Sequence, residues 1–156
     1  MQLPPSSLPF EENIILKDSS FFKREEYIAL PLPSDVRAAA DVKDHRYGTS
    51  RAQITHFPSL HLTVKWGPEV SIAEGQCLWA IRRQLAGAVP VPELYGWCRE
   101  GNTVYIYMEM VAGVTMEERW DRLSPGERSQ VCEHLREIVQ ALGSLEQDPD
   151  DKFIGK

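Results

Sequence analysis

Downstream of residue 51 the hydrophobic pattern switches several times between a period of two and a period of 3.6, and each switch marks an element. Residues 53–57 and 60–66 are β-rich runs joined across Pro58-Ser59, which predicts a hairpin. In the second run Leu60, Leu62 and Val64 take one face and His61, Thr63 and Lys65 the other, so Lys65 points away from the apolar side of its strand. Gly67-Pro68 ends the run. Ser71 and Glu74 then have the spacing of a capping box and open a helix predicted to reach about Ala86, where Gly87 stops it. Pro90 and Pro92 force an extended passage into residues 94–98, and the stretch 99–102 turns the chain into 103–110, a second hairpin. Thr115 and Glu118 predict a short capped helix containing Trp120. Ser124, Pro125 and Glu127 start a longer one, with an apolar stripe of Val131, Leu135, Ile138, Leu142 and Leu145.

The first third of the chain is less regular. Residues 1–33 sustain neither period and are expected to form an irregular leader, with a short strand at 13–16. Ser34 is the predicted cap of a helix through Val36 and Ala40, with Asp35 in its first turn, and 41–50 follow as loop. The expected organisation is a leader over 1–33, an α+β unit over 34–112 made of an antiparallel sheet and one packed helix, and a linker with further helices over 113–156. Its last stretch, 148–156, is expected to be a connection.

Composition narrows the function classes. A chain of 156 residues with 42% hydrophobic content can bury roughly two thirds of its unfolded surface. A net charge of −6 argues against nucleic acid or an anionic membrane as partner, since both draw affinity from clustered Lys and Arg. The basic pairs Lys23-Arg24 and Arg82-Arg83 fit solvated faces. Cys77, Cys98 and Cys132 form neither a metal knuckle nor a disulfide framework, which points to a reducing compartment. Without a signal-peptide pattern or a bilayer-length apolar run, the expectation is a cytoplasmic protein.

Lys65 and Glu74 carry the candidate chemistry. At 100° per residue Glu74 lies within about 40° of Leu78, Ile81 and Leu85, on the face that should pack against the sheet. A carboxylate there needs a partner, and the preceding strand ends by presenting a lysine. Kinases use a strand lysine paired with a helix glutamate to hold nucleotide phosphates. Two readings stand open: Glu74 as that partner, or as a capping-box residue with Lys65 in water. Downstream, Tyr107-Met108-Glu109-Met110-Val111 carries a strand into an extended linker whose backbone groups could hydrogen-bond a purine edge, or equally an edge running into an ordinary loop.

The stretches 64–67, 71–76, 89–96, 107–110, 113–120 and 153–155, with Leu32-Pro33-Ser34 and 57–60, resemble the fungal branch of the aminoglycoside phosphotransferase and choline kinase-like family. The resemblance spans most of 32–155 and implies the N-terminal lobe of a protein kinase-like fold, followed by the first helices of a C-terminal lobe. It makes Lys65 the phosphate-contacting residue and Glu74 its ion-pair partner. Met108 would guard the back of the base pocket, with backbone groups of Glu109 and Val111 as adenine contacts. The family has no strict glycine-rich phosphate loop, and Gly48-Thr49-Ser50 is only a faint match to that place. The implied cofactor is ATP or GTP.

Family members continue into a His-Gly-Asp catalytic loop, a nearby Asn and a magnesium-binding Asp. His45, His56, His61 and His134 all lack an Asp two positions on, so magnesium is expected only with the missing lobe and the chain is expected to be inactive alone. The acceptor, a small molecule with a hydroxyl, is not specified by these residues. Three readings follow: the nucleotide-binding half of a phosphotransferase, a non-catalytic pseudokinase-like binding or regulatory module, or an unrelated α+β domain. With its lobe incomplete, the stripe on the last helix is expected to face water or find a substitute cover, giving self-association or marginal stability.

Overall fold

Alternating strands with tight turns can only satisfy their backbones edge to edge, and here five of them do so in one antiparallel sheet. The structure, a computed structural model, describes residues 8–24, 29–40 and 52–145. The strands are β1 (Ile14–Ile15), β2 (Gln53–Phe57), β3 (Leu62–Gly67), β4 (Leu94–Glu100) and β5 (Thr103–Glu109), in the order β1-β4-β5-β3-β2. Helices are α1 (Ser20–Lys23), α2 (Pro33–Ala39), α3 (Ile72–Gln84), α4 (Met116–Arg119) and α5 (Pro125–Gly143). The molecule is thus mixed α and β, an architecture compatible with a kinase-like N-lobe.

Two compact units divide the chain. One comprises Pro9–Trp79 and Val91–Met110 and holds the sheet; the other draws its described residues from Leu8, Ala80–Pro90 and 111–145.

Both hairpins form, each with its turn redrawn. The strand expected at 60–66 begins only at Leu62, because Pro58–Leu60 coil into a 3₁₀ turn closed by His61 N–H donating to the Pro58 carbonyl at 3.1 Å. Proline suits the first position of such a turn, where its missing N–H costs nothing, and His61 exits in the left-handed region at φ 49°. In the second hairpin the strands run on to Glu100 and Thr103, so the turn shrinks from four residues to Gly101-Asn102.

The sheet is covered on both faces. On one, Leu62, Val64, Tyr95, Tyr105 and Tyr107 pack with Phe21 of α1 and Val36 of α2. On the other, Leu94, Trp97, Val104 and Ile106 pack with Ile72, Leu78 and Trp79 from α3. The side of β3 that carries Lys65 is therefore not simply polar: Thr63 on it is buried, and Lys65 stands opposite Ile106 of β5.

Residues 9–24 are laced into this unit. Leu16 N–H donates to the Tyr95 carbonyl at 2.9 Å, Trp97 Nε1 to the Glu11 carbonyl at 2.9 Å, and Gln76 Nε2 to the Pro9 carbonyl at 2.8 Å. The short strand expected at 13–16 is the edge strand β1. Its partner β4 needs a glycine at position 96, where a Cβ would fall 2.3 Å from the Ile14 carbonyl oxygen. Helix α2 starts two residues earlier than expected, with Leu32 rather than Ser34 at the cap position. Pro33 takes the first helical position and the Asp35 carboxylate accepts the Leu32 N–H at 3.0 Å, leaving Ser34 inside the helix.

In the second unit both capping boxes close. Glu118 N–H donates to Thr115 Oγ1 at 3.2 Å and Glu127 N–H to Ser124 Oγ at 3.3 Å, with the glutamates reaching back to the Thr115 and Ser124 amides. Helix α4 stops at Arg119, so Trp120 lies in the following 3₁₀ turn rather than in the helix, with the Arg128 guanidinium over its ring. No residue of α5 is buried. The predicted loop at 41–50, Gly48-Thr49-Ser50 and the connection at 148–156 lie outside the described residues. Among those described, no helix is long and apolar enough to cross a membrane.

Candidate functional site

Strand β3 fixes Lys65 on the α3 side of the sheet, and the start of α3 fixes Glu74 within its reach. A helix glycine shortens the gap. At Gly75 a Cβ would meet the ring of Trp97 at 2.8 Å, so only glycine lets the helix backbone settle this closely on the sheet. Glu74, one residue before it, then forms an ion pair from Oε2 to Lys65 Nζ, while Oε1 accepts the Ser71 N–H at 3.2 Å. The Glu74 carboxylate thus serves both the helix start and the ion pair, one oxygen each, and Lys65 does not stand alone in water. The side chains remain about a third exposed, 32% for Lys65 and 37% for Glu74. Ion pairs so open to water contribute ~0–1 kcal/mol. Stability alone is a weak account of this one, and a lysine held partly exposed remains able to meet an anion.

The end of β5 supplies the second cluster. Met108 is half-buried against Leu94, Trp97 and Ile106. Glu109 N–H donates to the Glu93 carbonyl at 2.8 Å, and Met110 N–H to the His61 carbonyl at 3.0 Å, so this strand end is fastened to both neighbours. The Glu93 N–H donates to Glu109 Oε2 at 3.1 Å, and Glu93 Oε1 accepts the Ser20 N–H at 3.0 Å. Two residues beyond Glu93, Tyr95 of β4 has its phenol pushed up chiefly by burial, with Glu109 and Glu93 adding to the rise and a Ser20 hydrogen bond opposing it.

Lys65, Glu74, Met108 and Glu109 all belong to the sheet unit, and the first two are in direct contact. Val111 begins the stretch 111–145 of the other unit and is 70% exposed. Glu93 and Ser20 escape sequence reasoning, since their roles depend on contacts across 73 residues. The one local signal was Pro92, which has no N–H and makes Glu93 the first backbone donor ahead of β4.

Two hollows lie elsewhere. One of about 720 Å³ is lined by Val114, Glu118, Arg119, Arg122, Leu123 and Glu127. The other, of about 300 Å³, lies between β1, residues 30–33 and β4. Cys98 Sγ lies 3.6 Å from the Tyr107 hydroxyl at its wall, and burial pushes both groups up, so both stay protonated. Neither hollow is lined by Lys65, Glu74, Met108, Glu109 or Val111. Among the described residues no three His, Cys, Asp or Glu side chains gather as a metal ion would require.

Comparison with known proteins gives a partial likeness to a kinase. The chain is 29% identical over 72 residues to the probable serine/threonine-protein kinase fnkB of Dictyostelium discoideum, a match covering 46% of this chain and 13% of that protein. No protein-family model matches the chain, and no solved structure matches it.

Proposed function

We propose that this chain is the nucleotide-binding half of a kinase-like phosphotransferase of the aminoglycoside phosphotransferase type, taking ATP or GTP and serving transfer to a hydroxyl of a small molecule. The observation that carries the proposal is the Lys65–Glu74 ion pair between β3 and α3. A lysine steered by a helix carboxylate on an antiparallel sheet is the device kinases use against the α- and β-phosphates. The sheet architecture and the partial kinase likeness support it. Within this reading Lys65 contacts phosphate, Glu74 orients it, Met108 backs the base, and backbone groups of Glu109 and Val111 meet the base edge.

Equilibrium titration of the whole chain with ATP and GTP tests the proposal. Saturable binding is expected, with Lys65→Ala weakening it at least tenfold, since a charge-assisted contact to phosphate contributes about 1.5–3 kcal/mol. Equal affinity of Lys65→Ala and the parent chain would remove the phosphate role.

A second reading, a non-catalytic pseudokinase-like module, is favoured by the exposed apolar edge of α5, where Leu135 and Val139 are 53% and 66% exposed. Such an edge suits a protein partner or a second copy.

A further inference from the structure

We propose that the hollow between β1, residues 30–33 and β4 is a binding site for a small uncharged molecule, one whose oxygen accepts a hydrogen bond from the Tyr107 hydroxyl. The site contains neither Lys65 nor Glu74 and is independent of the nucleotide reading.

Proline opens this hollow. β1 is an edge strand of two residues, and Leu30-Pro31-Leu32-Pro33 forms the wall across from it. Pro31 and Pro33 have no N–H to give, so this stretch does not join the sheet as a further strand. It stands off instead, and a space of about 300 Å³ remains, with Ile14 and Leu30 among its walls. A cavity of roughly 150 Å³ accepts a benzene ring, so this one has room for a substituted ring.

The walls decide the charge of the guest. Both charged side chains that line the hollow are already paired, Arg99 with Glu12 at 3.4 Å and Glu100 with Arg37. The Asn13 side-chain oxygen accepts the Arg99 N–H at 3.1 Å, and Trp97 Nε1 donates to the Glu11 carbonyl at 2.9 Å. No ion is left over to offset the desolvation of a charged guest, which favours a neutral one.

Tyr107 decides the polar contact. It is 3% exposed, and among the described residues its hydroxyl meets only Cys98 Sγ, at 3.6 Å. A thiol is a weak donor and a weak acceptor. Burial keeps both groups protonated, so with the thiol S–H turned to the phenol oxygen the phenol O–H is unspent. A buried hydroxyl without a good acceptor is costly. Water answers poorly, since a buried water needs about two to four polar partners and this wall is mostly apolar. An acceptor oxygen on an apolar body meets both demands.

Titration of the whole chain with acetophenone, cumene and benzoate, followed by NMR, tests the proposal. Acetophenone is expected to bind saturably and to shift the Ile14 and Leu30 methyl signals. Cumene has nearly the same shape without the oxygen and is expected to bind about tenfold more weakly. Benzoate, similar in size but charged, is expected to leave those signals unmoved. Tyr107→Phe removes the donor and should bring acetophenone down to the affinity of cumene, with cumene itself unchanged. Equal affinity of acetophenone for Tyr107→Phe and the parent chain overturns the proposal, as does a loss shared by both neutral ligands, benzoate binding as tightly as acetophenone, or a parent chain in which no ligand moves the two signals. If Tyr107→Phe does not fold, the ratio of acetophenone to cumene affinity on the parent chain decides: about ten supports the site, and about one overturns it.

Discussion

Gly75 sets how near α3 comes to the sheet, and through that the reach of Glu74. Glycine inside a helix costs about 1 kcal/mol relative to alanine, so propensity alone favours Gly75→Ala. The methyl group, however, would overlap Trp97, whose ring is 1% exposed and hemmed in by Val104 and Ile106. Overpacking of this kind costs roughly 1–3 kcal/mol, which outweighs the gain. Gly75→Ala is expected to lower stability by about 1 kcal/mol net, seen as a lower urea midpoint at unchanged slope. Under the nucleotide-binding proposal it also weakens binding, because the helix must step back and take the neighbouring carboxylate away from Lys65. A variant more stable than its parent would show that Trp97 yields without cost.

At the scale of elements, what could be read in advance was what depends on neighbours in sequence. The Ser124/Glu127 and Thr115/Glu118 boxes, the two hairpins and the start of α3 each rest on residues two to four apart, and the hydrogen bonds there follow the spacing. The meeting of Lys65 and Glu74 could be anticipated for the same reason, since only nine residues separate them. Helix α1 could not. Four residues carry no periodicity, and nothing local tells that Phe21 will be fully buried, 5.2 Å from the ring of Tyr95. The clasp of Glu109, Glu93 and Ser20 was hidden by the same distance. Phe21→Ala is the corresponding test. Removing a fully buried phenylalanine costs about 3–5 kcal/mol, a large share of a small domain's stability. The expected outcome is a pronounced loss of thermal stability, larger than for Phe22→Ala next to it, whose ring is only partly buried. Equal effects would mean that α1 lies on the sheet without anchoring it.

At the scale of the whole molecule the unresolved demand is made by α5. Its apolar residues span more of the helix surface than its own unit covers: Val131, Ile138 and Leu145 on one edge are half-buried, while Leu135, Val139 and Leu142 on the other stand open. Alternation of this kind is a stripe wider than its seat, and water against three large aliphatic side chains costs roughly 25 cal/mol per Å². Against association stands a net charge of −6, but at physiological ionic strength that repulsion is screened within about 8 Å. Burial therefore outweighs repulsion once two such edges meet. Light scattering is expected to report species heavier than a monomer that dissociate on dilution, and the double variant Leu135→Glu, Val139→Glu to remain monomeric at every concentration with an undiminished melting temperature. If the parent chain is itself monomeric at high concentration, the open edge is not a self-association surface, and the case for a different protein partner becomes the one to pursue.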